Sequence, residues 1–195
     1  MLENYVPIYN AHVVDLLSQE GVCLVGKASM DELAMGGTNK SALTGPVYNP
    51  WDSSRIAGGS SGGSAALVGS GVVPFALGSD TGDSIRKPAG FCGIVGFKPT
   101  RGRISRYGVI PYASSLDTVG AFTRNVRDMA IVIEALAGRD DRDMTSSQKE
   151  VPCYIKNLTD DIRGMKIAVL KSVSDEIRNV EIKTNFENDY LLLLN

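Results

Sequence analysis

The sequence is poor in the residues on which several common chemistries depend. Its 195 residues include one histidine and three cysteines, Cys23, Cys92 and Cys153. Three scattered cysteines form neither a disulfide framework nor the paired spacing of a zinc site, so we expect reduced thiols and no metal. A Ser-His-Asp triad needs an imidazole, and the single one, His12, lies inside an amphipathic segment. We expect His12 to be a structural helix residue.

Long apolar runs and an excess of charge are also missing. No apolar run approaches the ~20 residues of a membrane span, and no secretory signal pattern is present. The formal net charge is −2, without a concentrated basic block, so nothing indicates a nucleic-acid-binding surface. Hydrophobic residues make up 43% of the chain and charged residues 22%, which is typical of a globular domain without membrane contact.

Strand and helix patterns alternate along the chain, which predicts an α/β architecture. Helices are predicted at Asn10–Glu20 closed by Gly21, at Ser64–Gly69, at Ser84–Cys92 with a bend or early break at Pro88, and at Val126–Ala137 behind an Asn125 cap. Buried strands are predicted at Val22–Val25, Val72–Gly78 and Met165–Leu170, and an amphipathic helix from Val173. Ser29 and Glu32 have the spacing of a capping box, which predicts a helix start at Met30–Ala34.

A glycine- and serine-rich stretch, Gly58–Ser84, carries the strongest functional signal. Its composition also fits a flexible linker. However, it encloses the apolar runs Ala65–Val68 and Val72–Leu77, which have to be buried. We therefore predict two tight glycine turns on either side of a buried helix and strand, each presenting a serine.

Ser84 is the better candidate nucleophile of the two serine sites. It follows a predicted strand through a short turn and opens the next helix, where unpaired backbone N–H groups favour an anionic oxygen. Such groups form an oxyanion hole, and losing one donor typically costs about 100- to 1000-fold in rate. Ser60, in the other glycine turn, is placed to pass a proton between a base and Ser84. Because the single histidine is expected to be structural, lysine is the natural base.

One segment imitates a phosphate loop. Residues 21–28 read GVCLVGKA, close to the pattern G-x-x-x-x-G-K-[ST]. Ala28 lacks the hydroxyl that holds magnesium, and Val22–Val25 reads as a strand where the motif needs a loop. We expect no ATP site there.

The two serine turns resemble the signature blocks of the amidase signature family. Gly58–Ser64 reads GGSSGGS and Gly78–Gly93 reads GSDTGDSIRKPAGFCG, with Ser60 and Ser84 separated by 24 positions, as in the family. Five further blocks resemble its members: Asp31–Gly37, Gly96–Thr100, Ser105–Gly108, Ala113–Asp117 and Leu136–Gly138. Together the matching blocks cover about residues 4 to 171.

The resemblance implies a fold and a role for each site residue. The fold is a mixed β-sheet flanked by helices. Residues 1–195 would form a single but incomplete amidase-signature domain, without the catalytic-lysine segment expected before residue 1 and the C-terminal part expected after residue 195. Ser84 would be the acylated nucleophile and Ser60 a proton relay held by a cis peptide. Thr81, Gly82, Asp83 and Ser84 would occupy the oxyanion hole. A lysine would complete the triad, and we expect it to lie in a segment before Met1. Lys27 and Lys98 match non-catalytic lysines.

Within that family, the blocks are most similar to the glutamine-hydrolysing subunits of tRNA-dependent amidotransferases. This implies release of ammonia from glutamine for the conversion of Glu-tRNA(Gln) to Gln-tRNA(Gln), or of the Asp-tRNA equivalent. The implied partners are a B subunit, which binds tRNA and uses ATP and magnesium, and a small C subunit. No cofactor is expected on this chain. The expected location is cytoplasmic, or organellar if a targeting segment precedes Met1.

The chain departs from the family pattern beside the nucleophile. Asp83 stands where the family has glycine, which predicts an awkward turn and a negative charge that opposes an oxyanion. Lys87, where the family often has glutamine, and Arg86 are placed to offset that charge. Lys40 in place of glutamate and Ala121 in place of proline are lesser changes.

Three functional interpretations remain open. The chain is the catalytic subunit of a glutamine-dependent amidotransferase, a non-catalytic fragment that retains a subunit-docking surface, or an amidase for another primary amide. The Ser105–Gly108 and Ala113–Asp117 blocks favour the amidotransferase. We expect the 195-residue chain by itself to be inactive.

Overall fold

A computed structural model describes residues 4–159 and 161–193 of the chain. They fall into two compact units, Met1–Leu158 and Thr159–Asn195. The first unit contains helices α1 (His12–Gln19), α2 (Gly62–Gly69), α3 (Arg86–Cys92), α4 (Val126–Leu136) and α5 (Tyr154–Asn157), and strands β1 (Phe75–Asp80), β2 (Val95–Phe97) and β3 (Thr118–Thr123). The second unit contains helices α6 (Lys171–Ser174) and α7 (Val180–Leu192).

The sheet of the first unit has the strand order β1-β3-β2. Strand β1 pairs antiparallel with β3 from Phe75 opposite Thr123 to Asp80 opposite Thr118. Strand β2 pairs antiparallel with the other edge of β3, and every residue of β3 is buried. The predicted α/β class with helices against a sheet is confirmed, and the described strands pair antiparallel throughout.

Side chains alternate across β3, so this strand contributes to two apolar clusters. The cluster between β3, α1 and α4 contains Val13, Ile104, Val119, Ala121, Met129, Val132, Ile133 and Leu136. The cluster between the sheet, α2 and α3 contains Ala57, Ala65, Val68, Ile85, Ala89, Cys92 and Phe122. The second cluster fixes the start of α2 and the end of β1, where the two serine turns lie.

The helices with clear end signals were predicted well. Helix α4 begins behind Asn125, whose Oδ1 accepts a hydrogen bond from the Asp128 N–H at 2.8 Å. Helix α2 is built from small residues, which allow it to pack closely on β1. Helix α3 continues through Pro88 to Cys92, so it has no early break at Pro88. Pro88 lies in the first turn of α3, where a missing N–H costs no intrahelical hydrogen bond.

Two predicted strands are wrong. Val22–Val25 and Met165–Leu170 are in no strand, and within residues 4–159 and 161–193 nothing pairs with them. Leu24, Val25 and Met165 are exposed. An apolar run indicates burial, but a strand also needs a neighbour for its backbone groups.

The predicted capping box and the predicted long C-terminal helix are also wrong. Ser29 Oγ lies 2.6 Å from Thr44 Oγ1, and Glu32–Ala34 form only a short 3₁₀ turn. The segment from Val173 divides into α6 and α7, and neither helix has a buried residue.

The three cysteines are free, as predicted. Cys92 is buried in the cluster between the sheet, α2 and α3. Burial raises the pKa of its thiol to about 11, so the thiol stays neutral at physiological pH. No helix in the described part of the chain is long and apolar enough to cross a membrane.

Replacing the α4 cap tests the packing described above. Asn125→Ala should lower the free energy of unfolding by about 1 kcal/mol, because the first turn of a packed helix loses its acceptor. Asn179→Ala is the matched control, since Asn179 caps α7 in the same way but α7 buries nothing. Urea unfolding of both variants measures the difference. Equal losses would contradict the assignment of the stable core to the first unit.

Candidate active site

Two serine-bearing turns meet where α2 begins and β1 ends. Ser60 is fully buried, and Ser84 is 6% exposed. The Ser61 N–H donates to the Ser84 carbonyl at 3.2 Å. Ser61 Oγ also donates to the Ser79 carbonyl at 3.1 Å and accepts from the Ser79 N–H at 3.3 Å. The two turns that the sequence analysis singled out therefore form one structural unit.

The peptide bond between Gly59 and Ser60 is cis, as the resemblance implied. The Ser60 carbonyl accepts a hydrogen bond from the Asp31 N–H at 3.0 Å. Its hydroxyl is buried and has no hydrogen-bond partner among the described residues. A buried hydroxyl without a partner is unfavourable. The Ser60 hydroxyl thus has the capacity to exchange a proton with a further group.

A buried aspartate, Asp31, packs against the Ser60 turn. Its side chain is 1% exposed. Its carboxylate accepts from the Asn39 N–H at 2.9 Å, the Ser41 N–H at 3.2 Å and the Ser41 hydroxyl at 2.8 Å. A Cβ on Gly59 would overlap the same carboxylate. Only glycine leaves the space that Asp31 needs.

Asn39 links the loop formed by residues 36–41, hereafter the 36–41 loop, to helix α2. Its side-chain oxygen accepts from the Gly62 N–H at 3.0 Å, and Asn39 itself has a left-handed backbone with φ of 59°. Asparagine tolerates this conformation better than most residues. Asp31 and Asn39 were not among the residues predicted to act in the site. Asp31 does open one of the resembling blocks, which was the available signal.

The nucleophile turn is organised by a second buried aspartate, Asp80, at the end of β1. It accepts from the Ile85 N–H at 2.9 Å, and its carboxylate receives the Arg86 guanidinium at 2.9 and 3.2 Å. Burial alone would raise the pKa of Asp80, but the Arg86 guanidinium and the Ile85 and Arg86 N–H groups outweigh it and lower that pKa. Arg86 also donates to the Gly82 carbonyl. Asp80 therefore fixes both ends of the turn that carries Ser84.

Thr81 is held by a third aspartate. Its hydroxyl donates to Asp117 Oδ1 at 2.6 Å, and Asp117 also accepts from the Tyr112 and Ala113 N–H groups. Within the described residues, the N–H groups of Gly82, Asp83 and Ser84 donate no hydrogen bond. Free N–H groups in a fixed turn are what an oxyanion hole requires.

The structure corrects one expectation about Asp83. Among the described residues, positive φ angles outside glycine occur only at Leu33, Ala34 and Asn39. Asp83 therefore fits this turn without the awkward conformation that its position predicted. Its half-exposed carboxylate lies 2.7 Å from Lys87 Nζ. Lys87 is thus the cation that faces Asp83, whereas Arg86 is engaged by Asp80.

The remaining basic candidates lie elsewhere. His12 Nδ1 is 2.8 Å from Arg142 Nη2 and 3.5 Å from the Asp140 carboxylate, an arrangement that ties α1 to a loop. These contacts agree with the predicted structural role of His12. Lys98 Nζ donates to the Pro99 carbonyl at 3.1 Å, and Lys27 is exposed.

The segment that imitates a phosphate loop, residues 21–28, does not contain the predicted strand. Val22–Val25 is not a strand, so only the missing hydroxyl at Ala28 still argues against ATP binding there.

Within residues 4–159 and 161–193, no group of three potential metal-ligating side chains occurs. A cavity of about 840 Å³ lies along β2 and α4, and neither serine turn lines it.

Comparison with known sequences places this arrangement in a family. A family model described as Amidase matches residues 1–193. The A subunit of the Glutamyl-tRNA(Gln) amidotransferase of Sulfurihydrogenibium sp. (strain YO3AOP1) is 50% identical over 183 residues, which are 94% of this chain and 38% of the relative. The protein of the same name from Fusobacterium nucleatum is 51% identical over 188 residues, 96% of this chain and 39% of the relative. The chain spans less than two fifths of the length of these relatives.

Solved structures show the same partial fold. The crystal structure of the Glutamyl-tRNA(Gln) amidotransferase A subunit from Thermotoga maritima superposes with a TM-score of 0.75 at 51% identity, over 76% of this chain and 33% of that chain. The native peptide amidase from Stenotrophomonas maltophilia superposes with a TM-score of 0.68 at 34% identity, over 75% of this chain and 32% of that chain. The predicted amidase-signature fold is confirmed for this portion.

A pair of glycine substitutions tests the support of Ser60. Gly59→Ala should lower the free energy of unfolding by about 1–3 kcal/mol, because its methyl group would displace the Asp31 carboxylate. Gly82→Ala is the control, since a Cβ there meets nothing within 4 Å, and its effect should stay within about 0.5 kcal/mol. Thermal and urea unfolding measure both. A Gly59→Ala variant as stable as the parent would refute the tight contact with Asp31.

The lowered pKa of Asp80 makes a pH-dependent prediction. Asp80→Asn should destabilise the chain by about 1–3 kcal/mol at pH 7, because Arg86 and two N–H groups lose a charged acceptor. A carboxyl group with a lowered folded pKa stabilises above its unfolded pKa of about 3.9, and this stabilisation is lost as the pH falls through the folded value. The difference between parent and variant should therefore shrink below about pH 4.

Urea unfolding between pH 2 and 7 measures this difference. Asp141→Asn is the control, because Asp141 pairs with Arg139 on the surface and should change little at any pH. A loss in Asp80→Asn that is independent of pH would show that the Asp80 charge is not the stabilising feature.

Proposed function

The chain belongs to the amidase family, and on that premise we propose that it is the glutamine-hydrolysing part of a tRNA-dependent amidotransferase. The observation that carries the proposal is the joined pair of serine turns, with a buried Ser60 hydroxyl and free N–H groups ahead of Ser84. The names of the relatives at about half identity support the amidotransferase rather than another amidase.

The proposed reaction begins when Ser84 Oγ attacks the side-chain amide carbon of glutamine. The Ser84 proton passes through the Ser60 hydroxyl to a base, while the carbonyl oxygen becomes negative and is received by the N–H groups of residues 81–84. The carbon–nitrogen bond then breaks, and the nitrogen takes up the proton and leaves as ammonia. Water attacks the glutamyl ester, releases glutamate and returns the proton to Ser84.

We propose that the base is a lysine that none of the described residues supplies. The Ser60 hydroxyl has no partner among them, and Lys87 and Lys98 are held by Asp83 and the Pro99 carbonyl. The partners in this proposal are a B subunit, which handles tRNA, ATP and magnesium, and a C subunit. The proposed location is the cytoplasm, where tRNA-dependent amidation serves translation.

Ammonia release tests both parts of the proposal. The purified 195-residue chain should release no ammonia from glutamine, because Ser60 lacks its base. A chimera in which this chain replaces the matching region of the Thermotoga maritima protein should release ammonia and glutamate. Ser84→Ala should abolish release, and Ser60→Ala should lower the rate by about 10²–10⁴, the range of general acid–base catalysis.

The controls separate the competing interpretations. Release by the chain alone that disappears in Ser84→Ala would overturn the proposed lack of a base. A folded chimera that ignores glutamine but cleaves another primary amide would favour an amidase of different specificity. A folded chimera without activity on any amide, together with retained binding of B and C subunits, would favour a non-catalytic docking role.

A further inference from the structure

Lys87 lies between the two loops that build the candidate site. Its Nζ is 2.7 Å from Asp83 Oδ2, across the first turn of α3. On its other side, a Cβ placed on Gly37 would be 2.7 Å from the same Nζ. The ammonium group therefore rests against the 36–41 loop while it pairs with the residue before the nucleophile.

Both loops touched by Lys87 lead directly to a serine. Asp83 is adjacent to Ser84 in the chain, and the Lys87 N–H donates to the Asp83 carbonyl at 2.8 Å. The 36–41 loop carries Asn39, which holds the first residue of α2. Lys87 therefore pairs by charge with the nucleophile turn and packs against the 36–41 loop at Gly37.

The Asp83 carboxylate requires such a partner. It stands one residue from Ser84, in a turn whose free N–H groups suit a developing negative charge. An unpaired carboxylate there would oppose that charge. Arg86 is not the partner, since its guanidinium is bound to Asp80 and the Gly82 carbonyl. Asp83 and Lys87 together add no net charge to the site.

We infer that Lys87 is a positioning residue, which directs the Asp83 carboxylate away from Ser84 and fastens the nucleophile turn to the 36–41 loop. A role of Lys87 in catalysis rests on the proposed function. The ion pair with Asp83 and the contact with Gly37 are independent of that function. The ion pair joins two positions at which this chain departs from the pattern it resembles, with Asp83 in place of glycine and Lys87 in place of a frequent glutamine.

The pairing is tested by competitive acetylation of the intact 195-residue chain with trace acetic anhydride, read by peptide mass spectrometry. Lys87 should react about two- to fivefold faster in Asp83→Asn than in the parent, the range of a half-exposed ion pair. Lys156 in the same digest is the internal reference. Asp52→Asn is the control variant, because it breaks the surface pair with Arg55 at 2.9 Å and should leave Lys87 unchanged.

The salt dependence of Lys87 acetylation tests the same ion pair independently. At about 1 M salt the screening length falls to about 3 Å, so the parent should approach the Lys87 reactivity of Asp83→Asn. Equal reactivity of Lys87 in parent and Asp83→Asn, or the same rise in Asp52→Asn, would overturn the pairing.

The positioning role is tested by the amide resonances of Ser84 and Gly37 in ¹⁵N-labelled chain. Lys87→Gln should shift both, Lys87→Arg should keep both near the parent positions, and Arg55→Gln should shift neither. Changes confined to α3 after Lys87→Gln would overturn the inference. None of these measurements needs glutamine hydrolysis, so an inactive chimera would refute the proposed function while leaving this result to stand or fall separately.

Discussion

The burial of one carboxylate, that of Asp31, constrains the whole region around the serine turns. A carboxylate removed from water is unfavourable unless hydrogen-bond donors occupy its oxygens. Here the donors come from residues 39–41, so the 36–41 loop has to wrap around the side chain. Glycine at positions 36 and 59 leaves the space that the carboxylate occupies. The Ser60 turn packs against this carboxylate at Gly59 and is joined to the same residue by the hydrogen bond from the Asp31 N–H to the Ser60 carbonyl.

The fold was predictable where a local signal determines a local structure. The Asn125 cap and the small residues of α2 predicted their helices because capping and close packing act over a few residues. The predictions of strands at Val22–Val25 and Met165–Leu170 were wrong for a different reason. Apolar character indicates what has to be buried, but strand formation depends on a neighbour that the segment itself does not specify.

The candidate site was predictable in its two serines and not in its supports. Ser60 and Ser84 lie in glycine-rich turns, and the resemblance assigned them separate tasks, which remain a proposal. Asp31 and Asp80 have no local pattern that distinguishes a buried aspartate from an exposed one. The charge of Asp83 was recognised from the sequence, but only the structure separates Lys87, which faces it, from Arg86, which is engaged by Asp80.

The hydrogen bonds that join the two serine turns run from the Ser61 N–H to the Ser84 carbonyl and between the Ser61 hydroxyl and the Ser79 main chain. The hydroxyls of Ser60 and Ser84 take no part in these bonds. The framework of the site is therefore independent of the two hydroxyls proposed to react, and a variant that lacks either hydroxyl retains the hydrogen bonds that join the turns.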